Sequence, residues 1–482
     1  MLSLNAYPVN PTQVCLRMLA TTVAEATATT AATVPATAGA GAPAVAVEPV
    51  HFIAAIDVSE SMLQNRQLDN VITSLKFLLD YMKAEDALSV ITFGSDAEVV
   101  LRRVKTTSEN KDMIRFRLSQ LVPNGMTNLS AVFSYIPELL MAGYKQGLLI
   151  LTDGEVNVGV TDSAVLTRMA ESLGGDVSLT MVGYGPQHNT NLCRAMAAAT
   201  SGTYDVVNTL ENVASVFGNT LGGLVTCAYQ QVRFQLPPGV LQRSAFPVRS
   251  DGTLFVGDLQ EDNEVILLLE NVDPTVPLVV RGRHVASSRD CEVTVTVRSD
   301  PTPEEVMVGL VTSLRFRVVA LLEEVQHPRR SPGERAAECA ELRRLLTDVA
   351  TATTTATSTT SLVALLLAEV ERCERLGARP TRHETSILSQ RTAYLGLGRG
   401  VLSPDADDDP TSVLYSSASA SASSEAEEPP STPPLRVPVL DRSFSNPAQR
   451  AMSDAMRSAS SAYQTSPPPR MATLGRSPSL SP

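Results

Sequence analysis

The chain has 482 residues, enough for about three domains at roughly 150 residues each, so it can bury a sizeable core. With 39 basic against 51 acidic residues, its formal charge of −12 repels a phosphate backbone and disfavours a nucleic-acid partner. The six cysteines (Cys15, Cys193, Cys227, Cys291, Cys339, Cys373) are too scattered for a CxxC pair, which argues against a disulfide framework or a structural zinc and for a reducing compartment.

The opening MLSLNAYPVNPTQV lacks a basic start followed by an apolar run, so no secretory signal is expected and the reading is an intracellular protein of the cytoplasm, with the nucleus as the second compartment open to it. Gln13 to Ala24 alternates as a single strand, within a first unit of residues 1–25. An Ala/Thr/Gly/Pro-rich stretch, residues 26–49, cannot fill a core and reads as a linker. Over 50–224 the pattern changes to short apolar runs, His51 to Ile56, Ala87 to Phe93, Gly147 to Thr152 and Val177 to Tyr184, apolar on both faces and bounded by turns. Between them Leu68, Val71, Ile72, Leu75, Leu78, Leu79 and Met82 recur at helical spacing, and Met113, Phe116, Leu118 and Leu121 do so less regularly. Alternating strands and helices predict an α/β fold, a doubly wound and mostly parallel sheet.

Ligands of such sheets bind at the carboxyl ends of the strands, and three ends here carry matching chemistry. They are Asp57-Val58-Ser59-Glu60-Ser61-Met62 after the first strand, Asn124-Gly125-Met126-Thr127-Asn128-Leu129 in a later loop, and Thr152-Asp153-Gly154 after Leu149-Ile150-Leu151. Carboxylates and hydroxyls without thiolate or imidazole are hard donors, suited to Mg²⁺ or Ca²⁺ rather than zinc.

DVSES, a Thr opening a helix, and LTDGE in this order resemble the metal-ion-dependent adhesion site (MIDAS) of a von Willebrand factor type A (VWA) domain, a Rossmann-like fold. DALSVITFGSDAEVV resembles the family's second central strand, and VSLTMVGYG with NTNLCRAMAAATSGTYDVV its last strands. The resemblance implies that Ser59, Ser61 and Thr127 ligate Mg²⁺, Mn²⁺ or Ca²⁺, that Asp57 and Asp153 hold it directly or through water, and that a partner protein completes the shell with a carboxylate. Two positions depart from the family, where Gly is common: Glu60 and Met126.

Residues 225–300 alternate, in Gln231 to Leu236, Thr253 to Val256, Glu264 to Leu269 and Glu292 to Val297, and predict a small antiparallel β-sandwich. The early strand is expected to join it, which makes the metal domain an insertion into the sandwich. Residues 301–400 form a helical region: Thr302-Pro303-Glu304-Glu305 is a strong start, with Val306, Leu310, Leu314, Val318, Leu321 and Val325 as the expected buried face. Ser331-Pro332-Gly333-Glu334 opens a second helix and Leu362 to Leu376 forms a third; the apolar run Ser361 to Val370 is half of what a bilayer requires, so no membrane span is expected. The order resembles bacterial and plant VWA proteins with an intein-associated helical region, whose closing element Glu384 to Arg391 resembles. Plant members add a RING finger; without its cysteine pairs, a ubiquitin-ligase-related adaptor lacking its own RING is an alternative reading.

Residues 401–482 are rich in Ser, Pro, Ala and acid and are expected to be a disordered tail. Ser403, Thr432, Ser466, Ser477 and Ser481 each precede proline, as substrates of proline-directed kinases do. Arg442-Ser443-Phe444-Ser445-Asn446-Pro447 resembles the phosphoserine motif read by 14-3-3 proteins, with Ser445 modified, Arg442 three before it and Pro447 turning the chain out of a groove. No phosphate loop, HExxH or GxSxG is present, and the five histidines sit in unrelated settings. The function expected is therefore that of a metal-dependent protein-interaction module rather than an enzyme, with a metal-independent scaffold built on a degenerate VWA domain as the alternative.

Overall fold

The computed structural model describes residues 1–21, 48–352, 357–376, 380–398 and 444–465. The chain opens with β1 (Leu2–Asn10) and β2 (Gln13–Ala20), an antiparallel hairpin in register Leu2↔Ala20. The single strand expected to run to Ala24 is thus the second arm of a hairpin, and most of the 26–49 stretch lies outside the described residues.

Next come β3 (Val50–Asp57), α1 (Gln67–Tyr81), β4 (Ala87–Phe93), β5 (Ala97–Lys105), α2 (Ser108–Leu118), α3 (Ile136–Leu139) and β6 (Lys145–Thr152). They are followed by α4 (Ser163–Glu171), β7 (Ser178–Tyr184), α5 (Thr190–Ala199), β8 (Thr203–Val207) and α6 (Leu210–Val225). The six strands form one sheet in the order β5-β4-β3-β6-β7-β8, parallel except for β5 at the edge. Strands β3, β4 and β6 are buried along their whole length because helices cover both faces, which explains their unbroken apolar runs. One core layer joins Phe52, Leu75, Leu78 and Phe217; the other joins Ile53, Phe93, Ile136, Leu192 and Met196. On α2 the expected face is corrected: Met113 and Phe116 are exposed, while Ile114 and Leu118, four apart and on one face, are buried.

The second unit is the sandwich: β9 (Cys227–Gln235), β10 (Leu241–Gln242), β11 (Thr253–Gln260), β12 (Glu264–Glu270), β13 (Leu278–His284) and β14 (Arg289–Val295). One sheet runs β1-β2-β12-β10 and the other β11-β9-β13-β14. Strand β2 pairs with β12 from Gln13↔Glu270 to Leu19↔Glu264, so the early strand belongs to the sandwich and the α/β unit is inserted between β2 of one sheet and β9 of the other. All six cysteines are free.

The helical unit comprises α7 (Pro303–Gln326), α8 (Pro332–Ala352), α9 (Thr357–Arg375) and α10 (Arg382–Leu397). Thr302 caps α7 in a full capping box with Glu305, as its sequence indicates. The expected α7 face is corrected at its start, where Val306 and Leu310 are exposed. There the helix rests on β1 through a different face, Glu305 bonding Asn5 and Gly309 admitting Val9 at 2.7 Å from where a Cβ would stand. From Val311 onward Leu314, Val318, Leu321, Leu322 and Val325 pack on α8 and α9. Among the described residues no helix is long and apolar enough to cross a membrane.

The largest correction concerns the tail. Pro447–Thr465 is a helix, α11, laid against α6, and the residues before it are anchored too. The Phe444 ring packs tilted against Tyr394 of the helical unit, centroids 4.9 Å apart, and Asn263 of the sandwich donates to the Phe444 carbonyl. Asn446 donates to Thr226 Oγ1 and Glu261 O. Apolar residues spread thinly through a Ser-rich helix escape a composition argument, yet Met452 and Met456 fall four apart on one face and reach the α/β core.

Truncating a fully buried methionine costs about 2–5 kcal/mol through lost transfer energy and a residual cavity. Met456→Ala is therefore expected to lower the denaturation midpoint of the α/β unit measurably, although it lies in a segment whose composition reads as disordered. A midpoint equal to that of the parent chain would show that α11 does not dock in solution.

Candidate metal centre

The central strand β3 is flanked in parallel by β4 and β6, in register Ile56↔Thr92 and Ile56↔Leu151. Strand β3 therefore ends at Asp57 beside the end of β6, where Thr152 and Asp153 follow. Thr152 Oγ1 donates to Asp57 Oδ2 at 2.6 Å, and the Ser59 amide donates to Oδ1 at 2.8 Å, which fixes the carboxylate with both oxygens engaged. Beyond Asp57 the chain turns through a 3-10 segment, Glu60–Arg66, with Asn65 and Arg66 at φ of 49° and 57°. In this turn Ser59 Oγ and Ser61 Oγ lie 3.0 Å apart, and Ser61 Oγ donates to Asp153 Oδ1 at 2.7 Å. Four of the five expected ligands, Asp57, Ser59, Ser61 and Asp153, are thereby brought into one continuous cluster.

Thr127 arrives from the loop after α2. The Glu60 amide donates to Gly125 O and the Asn124 amide to Val58 O, which ties this loop to the first. Two glycines permit it: Gly125 has φ +77°, and a Cβ on Gly94 would stand 2.2 Å from Asn124 O. Asn157 Oδ1 accepts from the Thr127 amide at 2.8 Å. A Cβ on Gly154 would lie 3.6 Å from Thr127 Oγ1 and 3.8 Å from Ser61 Oγ, so this glycine leaves both hydroxyls facing a common space. Asn157 and Thr152 were not among the sequence candidates. Thr152 was legible as the neighbour of Asp153 at a strand end, whereas nothing in spacing marks Asn157.

Asp57 is fully buried and Asp153, Ser59 and Thr127 nearly so. Burial pushes the Asp57 carboxyl up to about 6 against the hydrogen bonds from Ser59 and Thr152, with the Asp153 charge adding to the rise. Burial likewise raises Asp153, opposed by Ser61. Two desolvated carboxylates with three hydroxyls and no sulfur or nitrogen are a set that a hard divalent cation fits, and its charge would offset the cost of their burial. Glu60 and Met126 both project outward, exposed, at the mouth. Arg382, in the first turn of α10, pairs with Glu155 and donates to Gln187 O, so the helical unit reaches the loop that carries Asp153.

Ser445 and Pro447 lie elsewhere, and the expected docking motif is corrected. Ser445 is 5 % exposed, its hydroxyl 3.5 Å from Asn219 Oδ1 of α6, and Pro447 begins α11 instead of turning the chain outward. A 14-3-3 dimer has no access to Ser445 in this arrangement. Arg442 and the five proline-directed positions lie outside the described residues.

Residues 52–155 match the family model of the von Willebrand factor type A domain. The unit from β3 to α6 is a VWA domain. An uncharacterized protein of Escherichia coli K12, YfbK, is 23% identical over 192 residues, 39% of this chain and 33% of its own length. Inter-alpha-trypsin inhibitor heavy chain H3 of Pongo abelii is 29% identical over 167 residues, 32% of this chain and 19% of its own. The matches thus span a third or less of these two relatives. A solved structure of a von Willebrand factor type A protein from Catenulispora acidiphila has the same fold, with a TM-score of 0.53 at 14% identity over 75% of this chain and 88% of that one.

The raised Asp57 carboxyl sets a pH test. The folded chain holds a proton there between about pH 4 and 6 that the unfolded chain has lost, so this group's contribution to stability falls as pH rises through that window. Without metal, Asp57→Asn is expected to raise stability by on the order of 1–3 kcal/mol above pH 6 and by progressively less toward pH 4. Chemical denaturation across pH in chelator-treated protein measures it; a variant destabilised equally at every pH would contradict the electrostatic account.

Proposed function

We propose that this protein is a metal-dependent protein-interaction module, not an enzyme, which binds an acidic group of a partner through a MIDAS-type centre. Asp57, Ser59, Ser61, Thr127 and Asp153 would hold Mg²⁺, or Mn²⁺ or Ca²⁺ in its place. The observation that carries the reading is the cluster of four side chains, Asp57, Ser59, Ser61 and Asp153, two of them buried carboxylates, at the ends of adjacent strands β3 and β6, with the Thr127 hydroxyl bordering the same space. When bound, the cation would supply a positive charge able to attract a carboxylate oxygen of a partner. Asp57, held by Thr152 and the Ser59 amide, fixes the geometry from beneath, while Ser59, Ser61 and Thr127 provide neutral oxygens. With only two carboxylates to balance its charge and neutral oxygens from the other three side chains, a divalent cation would stay able to attract one further carboxylate oxygen. The partner is a protein, with neither nucleic acid nor a membrane among the targets, and the compartment we assign is the cytoplasm.

A cation that binds only the folded state stabilises it by RT ln(1 + [L]/Kd), about 2.7 kcal/mol at a hundredfold excess over Kd. Chelator-treated protein is therefore expected to melt at higher temperature as Mg²⁺ or Mn²⁺ is added, and Asp57→Asn to lose that response. A carboxylate-bearing partner captured with Mg²⁺ is expected to be released by EDTA. Melting that ignores millimolar Mg²⁺, Mn²⁺ and Ca²⁺ alike would leave the metal-independent scaffold as the better reading, in keeping with a cluster whose hydroxyls already bond one another.

A further inference from the structure

Helix α11 and the residues before it carry one pattern that the metal centre does not use. Arginine stands three residues before serine three times in succession: Arg442 and Ser445, Arg450 and Ser453, Arg457 and Ser460. Ser453 and Ser460 are seven apart, two helical turns, and so fall on one face of α11. All three serines are buried, at 5 %, 1 % and 0 % exposure, on a segment that supplies Met456 to the core of the VWA domain.

We infer that Ser453, with Ser460 two turns on along the same face of α11, is a phosphorylation site for an arginine-directed serine kinase, and that its modification and the docking of α11 on α6 exclude each other. Ser453 Oγ donates to the backbone carbonyl of Ser215 at 3.1 Å. In the reaction the γ-phosphoryl group of ATP passes to Ser453 Oγ: the bond from phosphorus to the ADP oxygen breaks, the bond to Oγ forms, and the hydroxyl proton leaves through the kinase's base. The product has no proton to donate to Ser215 O and sets close to two negative charges against that carbonyl.

Space forbids it as well. Helix α6 presents glycine at two positions to let α11 approach: a Cβ on Gly218 would stand 2.8 Å from Met452 O and 2.9 Å from Ser453 Cα, and one on Gly222 2.8 Å from Gln449 Cα. An interface that cannot accept a methyl group at these positions cannot accept a phosphate beside them. The docked helix also hides its serines from a kinase, which binds extended chain. Phosphorylation therefore captures the undocked state, and release uncovers the α6 and α1 surfaces now under Met452, Met456 and Tyr463. This switch is independent of the metal centre.

The test uses the full chain, Mg-ATP and the catalytic domain of a serine kinase requiring arginine at the third position before serine. A synthetic peptide of residues 440–465 serves as the unprotected reference. Because the rate scales with the undocked fraction, Ser453 in the full chain is expected to be modified at least about tenfold more slowly than in the peptide. Met456→Asp should remove most of that difference, and the milder Tyr463→Ala, which loses only an edge contact with Phe77, part of it. Ser453→Ala should abolish incorporation at that position. Once phosphorylated, the full chain should be cut by trypsin after Arg450 and Arg457 as readily as the peptide. A peptide that is no substrate, equal rates in peptide and full chain, or a phosphorylated chain that keeps α11 protected would each overturn the inference.

Discussion

Strand register governs this molecule. Because β3 and β6 run parallel with Ile56 opposite Leu151, their carboxyl ends finish together, and Asp57 meets the hydroxyl of Thr152. A slip of one residue would turn Asp57 to the other face of the sheet and send apolar side chains into the loops. The register is held by burial of every residue of both strands, so the same apolar packing that stabilises the sheet also assembles the acidic cluster at its rim. The cluster is electrostatically costly, and the sheet's hydrophobic core is what holds it in place.

Around that sheet the chain closes in an order that its sequence does not follow. The chain leaves the sandwich after β2 in one sheet and returns through β9 in the other, while β12 later pairs with β2, so the VWA domain is tethered to the sandwich at both of its ends. Helix α10 adds a second attachment: Thr190 meets Ser386 at 2.8 Å, Gln390 faces the buried Asp205, and Arg382 grips Glu155 two residues beyond Asp153. The Phe444 to Asn446 segment adds a third, touching the helical unit, the sandwich and α6 within three residues. The end of the sheet that carries the acidic cluster is thus braced from a part of the chain more than 200 residues downstream.

Much of the site was legible from residues alone. DVSES and LTDG each end an apolar run that can only be a buried strand, and side chains just past such strands gather at one edge of a parallel sheet. Thr127 was legible as a hydroxyl in a loop between elements. Asn157, which holds Thr127 through its amide, was not, because its role depends on how two loops fold back on each other. The α2 face was misread since Met113 and Phe116, although apolar, sit on the side where no neighbour packs. The start of α7 was misread because β1 covers a different stripe there, through Gly309 and Glu305, from the one that α8 and α9 cover further along.

Composition and periodicity by themselves determined the alternation of strands and helices, the antiparallel strands after Cys227 and the hard-oxygen character of the strand-end loops. These follow from local rules, since burial on two faces demands continuous apolar runs and turns demand small or polar residues. Only the tertiary structure decided the fate of the segment from Phe444 to Thr465. Its Ser-rich composition cannot form a core alone, and it becomes ordered because α6 offers glycines at 218 and 222 and a slot for Met456. The free energy of that contact belongs to a pair of surfaces more than 200 residues apart, and no window on either one contains it.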